Sequence, residues 1–264
     1  MRRNRKGLMQ SFIILSGSNS NIVDLKEVNN TSQNDYIIRG SALDGKVLVI
    51  GADNKSSLES IRKSNGTTLN ASVALGRTLS IAAMMSSMQK NGVSTNIHIK
   101  CDGPIEGITV KANSKGKVQG YVENPNVNLI LDNDGKFELS PIIGKGNIEV
   151  IMTQKNGEIV KKDSPIVSGE IGEDFSYYFS EVQGIPSAVA VGELIDTDES
   201  IMVSGGFIIQ ILEPLTDKNV KELENRLNQM EPLSTQISKG KTIHEILENI
   251  VGPVKVLERK EITN

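Results

Sequence analysis

The sequence predicts an α+β fold, with sheets packed around a buried helix and a helical linker arm following. Three observations carry this reading. Residues 67–90 are apolar or small on nearly every side, from Leu69, Ala71 and Val73 through Leu75, Gly76 and Leu79 to Met84, Met85 and Met88, the pattern of a helix buried on most faces. Short runs of strand formers lie before and after it, separated by Gly, Asn and Asp turns. After Pro214 the apolar spacing changes to that of amphipathic helices.

Taken in order, 35–52 reads as a β-hairpin. Tyr36, Ile37 and Ile38 face Val47 to Ile50 across Leu43-Asp44-Gly45-Lys46, and the Asp-Gly pair supplies the positive φ of a tight turn. Residues 56–63 are a short helix capped by Ser56 or Ser57. The apolar helix 67–90 starts at Thr67 or Thr68 and stops at Asn91-Gly92. Asn70, Ser72, Arg77 and Ser80 interrupt it too often for a membrane span. Strands follow at 96–100, 107–111 and 117–122, then at 148–153 and 158–160 around Lys155-Asn156-Gly157. Over 168–182 the period becomes helical, with Ile171, Phe175, Tyr178, Phe179 and Val182 on one face, and Glu173 and Asp174 are expected on its solvent side.

Residues 187–195 and 201–212 return to strand, with Gly205-Gly206 marking a bulge or a close backbone approach. Helices are predicted at 217–230 and 242–251, the second opened by a Thr242/Glu245 capping box and stopped by Gly252-Pro253; a last strand covers 254–259. The expected organisation is therefore an extension at 1–34, disordered or foreign to the native chain, then a body over 35–213 and a helical linker over 214–264.

Composition narrows the function. A formal charge of −3 over 264 residues, with both signs interspersed, gives no electrostatic case for nucleic acid or an anionic membrane. The arginines and lysine of residues 2–6 precede an apolar run too short for a secretory signal. One cysteine, Cys101, and two histidines, His98 and His244, cannot form a structural zinc site, so no metal ligand is assigned. No catalytic residue is assigned either. Cys101 and His98 are three apart and point to opposite faces of an extended strand. Gly240-Lys241-Thr242 lacks the leading glycine of a phosphate loop, and no nucleophile elbow or zinc-protease helix is present. The chain reads as a non-enzyme, with a small-molecule enzyme on the same body as the rival.

Several strings together resemble the heat shock protein 33 family of redox-regulated holdase chaperones. They are Asp-Tyr-Ile-Ile-Arg-Gly at 35–40, Ala-Leu-Gly-Arg-Thr-Leu at 74–79, Asp-Gly-Pro at 102–104 with Gly107, and Gly-Tyr-Val-Glu-Asn-Pro at 120–125. The longest are Val-Ser-Gly-Glu-Ile-Gly-Glu-Asp-Phe-Ser-Tyr-Tyr-Phe at 167–179 and Gly-Gly-Phe-Ile-Ile-Gln at 205–210.

The resemblance implies an ATP-independent cytoplasmic chaperone of the stress response that binds unfolding client proteins and forms a homodimer. It also implies a C-terminal zinc module of four cysteines that switches the linker on oxidation. Here the sequence reads Ile262-Thr263-Asn264 and ends, and Cys101 matches none of the four. Zinc therefore belongs to the full-length family and no cofactor is expected of this chain, which should act without its switch or be an inactive fragment. The expected client-binding residues are the linker stripe: Leu223, Leu227 and Met230, with Ile246, Leu247 and Ile250.

Overall fold

Two antiparallel five-stranded sheets enclose one long helix in the computed structural model, which describes residues 34–88, 92–127, 138–196 and 199–264. The extension expected at 1–34 lies, except for Asn34, outside the described residues, as does the helix stop expected at Asn91. The first sheet contains β1 (Tyr36–Ala42), β2 (Val47–Asp53), β8 (Ser187–Ile195), β9 (Ile201–Ile211) and β10 (Lys255–Glu261), in the order β10-β1-β2-β9-β8. The second contains β3 (Gly92–Cys101), β4 (Gly107–Asn113), β5 (Val118–Val122), β6 (Gly146–Gln154) and β7 (Ile159–Pro165), in the order β5-β4-β3-β6-β7. The helices are α1 (Lys55–Asn65), α2 (Leu69–Met88), α3 (Ser140–Ile143), α4 (Ile171–Tyr177), α5 (Asp217–Asn228), α6 (Leu233–Ser238) and α7 (Ile243–Val251). The expected elements are all present; α3 and α6 are additions that their short, mixed sequences do not announce.

The buried helix is α2. It touches strands of both sheets, and every residue from Asn70 to Ser87 is buried. Its hydroxyls are satisfied on its own backbone: Thr78 donates to Ala74 O, Ser86 to Ala83 O and Ser87 to Met84 O. Thr68 does not cap it with its side chain as expected. That hydroxyl donates to the carbonyls of Pro125 and Val127 at 3.1 Å each, and so pins the loop after β5.

Nor do Ser56 and Ser57 cap α1. Their backbone N–H groups donate to the Asp35 carboxylate at 3.0 and 2.5 Å, so the cap comes from the residue before β1. A buried carboxylate at a helix N-terminus is worth about 1–2 kcal/mol. Asp35→Ala is expected to lower stability by about that amount, read as a shift in urea midpoint at unchanged slope; an unshifted midpoint would refute the assignment.

The single α-helix expected over 168–182 is α4 continued by a π-helical turn, Tyr178–Val182. Gln183 accounts for the widening. Its N–H donates to Tyr178 O, and its side-chain amide donates to the buried Tyr178 hydroxyl at 2.8 Å. The expectation that Glu173 and Asp174 face solvent is wrong for Asp174. That carboxylate is buried and accepts the N–H groups of Val167 and Ser168, both at 2.8 Å, while Glu173 is half-buried. Gly205 and Gly206 make the close approach rather than a bulge: a Cβ there would lie 2.5 Å from Ala52 O and 2.6 Å from Ala190 O.

The first sheet is apolar on both faces, which explains the unbroken runs in β2 and β9. Ile37, Ile50, Ala52, Val189 and Ile208 face α2 in the main core. Tyr36, Ile38, Val47, Val49, Phe207 and Ile209 face outward into a second apolar cluster that α5, α6 and α7 cover.

Candidate functional site

The residues expected to bind clients lie inside that second cluster. Leu223 and Leu227 of α5 and Ile246, Leu247 and Ile250 of α7 are all buried, and Met230 is half-buried at its edge. Sequence periodicity located the apolar stripes; what they cover is the outer face of β1, β2 and β9. The stripe and the sheet face together form a closed apolar seam. Opened, it would present an area of the kind that binds exposed chain segments.

α7 holds the seam shut. Its first turn carries the expected capping box: Glu245 N–H donates to Thr242 Oγ1 at 3.2 Å, and Thr242 N–H donates to Glu245 Oε2 at 2.8 Å. The Thr242 N–H and the Thr242 hydroxyl, which donates to the same Oε2 at 2.8 Å, hold the Glu245 carboxyl below its usual range. The Ile243 N–H donates to the Tyr36 hydroxyl at 3.3 Å. Tyr36 in turn lies under the Arg259 guanidinium of β10, 4.0 Å from the ring centroid, and burial raises the pKa of its phenol.

Two strand glycines act as sockets for this segment. A Cβ on Gly51 would fall 2.1 Å from Ile243 Cγ2, and one on Gly40 would fall 2.5 Å from Val254 Cγ1. Gly40 closes the first of the strings that carried the resemblance, so its place there has a packing reason. α6 covers the far end of the sheet, where Ser234 lies over Gly192 of β8. α5 is held less directly. It buries only Leu223 and Leu227, rests chiefly on α7, and leaves a groove of about 160 Å³ against Leu43, Ile250, Val251 and Pro253.

Sequence reasoning missed one polar constellation. Arg77, which served only to break the apolar run of α2, is buried with Glu193 of β8 and with Glu170, the residue before α4. Its Nη1 donates to Glu170 Oε2 at 2.6 Å and its Nε to Glu193 Oε2 at 3.3 Å. The available signal was a lone charge in each of two apolar runs, Arg77 in 69–88 and Glu193 in 187–195.

The residues weighed for catalysis are not brought together. His98 Nδ1 is 3.2 Å from Thr109 Oγ1, on the outer face of the second sheet. Cys101 packs against the main core, and burial pushes its thiol up. Among the described residues no group of three His, Cys, Asp or Glu side chains could hold a metal ion, and no helix is long and apolar enough to cross a membrane.

Comparison with known proteins agrees with this architecture. The family model described as Hsp33 protein matches residues 35–264. A 33 kDa chaperonin of Geobacillus sp. (strain WCH70) is 38% identical over 227 residues, covering 85% of this chain and 77% of that protein. The 33 kDa chaperonin of Bacillus subtilis is 38% identical over 219 residues, 83% of this chain and 75% of its own length. The crystal structure of a 33 kDa chaperonin, a heat shock protein 33 homologue from Thermotoga maritima, superposes with a TM-score of 0.81 at 31% identity, over 88% of this chain and 80% of that one. The relatives are named as chaperonins rather than enzymes, and the chain belongs to the Hsp33 family.

Proposed function

We propose that this chain is an ATP-independent holdase that captures unfolding proteins on the seam between its first sheet and α5–α7. The observation that supports the reading is the second apolar cluster, which a single segment, residues 217–254, covers from outside. Docked, α7 and α5 complete a core. Undocked, they leave the outer sheet face, with Tyr36, Ile38, Val49, Phe207 and Ile209, and their own stripe of Leu223, Leu227, Met230, Ile246, Leu247 and Ile250 open to a client. In this reading 35–213, completed by β10 and Ile262 at the end of the chain, is the body, and the cover is the helical stretch 214–254 rather than all of the linker expected at 214–264.

The single cysteine within residues 1–264 is half-buried in the body. We therefore assign opening of the seam in this span to helix undocking rather than to thiol chemistry. Zinc and disulfide control, as the family resemblance implies them, would rest on residues outside it. The cellular setting we propose is the cytoplasm, with unfolded proteins as clients and a second copy of the chain as the homodimer partner.

The test is light scattering of a thermally unfolding client with the folded chain added, in reductant and in peroxide. Suppression of aggregation in reductant is expected. A cooperatively melting chain that suppresses nothing, or does so only in peroxide, would refute constitutive holding and favour an inactive fragment.

A further inference from the structure

One guanidinium faces two carboxylates at the centre of the body. Arg77 and Glu193 are 2% and 0% exposed. Glu170 lies nearer solvent and is well provided for: besides Arg77 it accepts the N–H groups of Leu139 and Ser140, at 2.8 and 3.2 Å, on its other oxygen. Among the described residues Glu193 has the longer contact to Arg77 and the hydroxyl of Ser204 beside it. Its second oxygen is packed against the Gly76 backbone, where a Cβ would come within 3.0 Å, and Ser204 is its partner across the β8–β9 pairing.

Among the described residues an ion pair between Arg77 and Glu170 already balances the charge. A second buried carboxylate would leave the cluster with a net negative charge in a dry interior, where an unpaired charge is expensive. We infer that Glu193 is carried as the neutral acid at neutral pH, and that its proton is a lock between the first sheet and the central helix. While the proton is held, the cluster is one cation and one anion and β8 stays packed on α2. When it is lost, two carboxylates compete for Arg77 and the contact loosens.

The surroundings agree. Burial pushes the Glu193 carboxyl up to about 8, against the opposing pull of Arg77 and the hydroxyl of Ser204. Among the elements packed on β8, α2 brings Arg77, β9 and α6 bring no ionisable side chain, and α4 brings Glu173 and Asp174, preceded by Glu170. Burial raises the carboxyls of Glu173 and Asp174 as well, so none of the acidic neighbours supplies a cation in Arg77's place.

The direction of the effect follows from proton counting. Between its ordinary value of 4.5 and about 8, the folded chain binds a proton at Glu193 that the unfolded chain does not. The stabilisation is complete below the ordinary value and is lost as pH rises through the folded value.

Glu193→Gln tests this, because an amide imitates the neutral acid in shape and cannot ionise. From about pH 6 to about pH 9 the wild-type melting temperature should fall by about 5 °C more than that of E193Q. Infrared difference spectra at neutral pH should show a protonated buried carboxyl in the wild type that E193Q lacks and that disappears at alkaline pH. A gap in melting temperature that stays constant with pH overturns the inference, and so does absence of that carboxyl band. If E193Q does not fold, the band in isotope-labelled wild-type chain, followed through the same pH range, decides alone.

Discussion

Gly51→Val is expected to spring α7 off the sheet and raise client holding in reductant. The strand itself accepts the change. Gly51 has no left-handed φ, and a β-branched residue suits a strand interior. The conflict lies with the cover, since the first added carbon would fall 2.1 Å from Ile243 Cγ2. Overpacking of this kind costs about 1–3 kcal/mol. Either the chain bears that strain closed or α7 lifts and takes α5 with it. Since α5 rests chiefly on α7 and buries two side chains of its own, it follows whenever α7 lifts, and the strain of the closed state raises the fraction of chains in which that happens.

A shift of about 1.4 kcal/mol would raise the open population about tenfold. The readouts are binding of a dye that fluoresces on exposed apolar surface and suppression of client aggregation, both expected to rise. Adding Ile243→Ala to Gly51→Val should return dye binding toward the wild-type level by emptying the socket. If Gly51→Val binds no more dye than wild type while melting at the same temperature, the glycine sockets do not control the cover.

The body was legible because both kinds of burial leave a mark on a sequence. A helix apolar on every side has to be enclosed, and residues 69–88 are enclosed by two sheets. Strands apolar on both faces have to be covered twice, and β2 and β9 are. The stripes of α5 and α7 were legible at helical spacing. Their destination was not, because nothing local states which sheet face a distant helix will meet. Gly40 and Gly51 read locally as weak strand residues, and only Val254 and Ile243, some two hundred positions away, give them a purpose.

Caps failed for the same reason. Serines at 56 and 57 are good local candidates, yet Asp35 reaches their N–H groups because β1 and α1 start side by side. The carboxylates of 167–179 misled in the opposite direction. Asp174 occupies a surface-like position in the helical pattern, but it turns back to bind the loop that precedes its own helix.

Arg77→Leu is expected to cost about 3 kcal/mol of stability at neutral pH, among the larger effects available to one substitution in this fold. Among the described residues the guanidinium is the cation of the cluster, and it works in two directions, through Nη1 to Glu170 and through Nε to Glu193. Lysine offers one compact head in place of a fork, so Arg77→Lys should recover little. Glu170 keeps its contacts to Leu139 and Ser140 and some access to solvent in the variant. Glu193 has no such outlet. Without Arg77 its proton is held still more tightly, and the alkaline loss of stability should move to higher pH.

Chemical unfolding measures both effects, as a lower urea midpoint and as a displaced pH profile. Arg77→Leu combined with Glu193→Leu separates charge from packing. If uncompensated polarity is the main cost, the pair should regain much of what the single variant lost, as replacing buried ion pairs by apolar residues often does. If the pair is as unstable as the sum of the two single changes, the cluster acts through shape, and the cost of Arg77→Leu comes from the space it vacates between α2 and the first sheet.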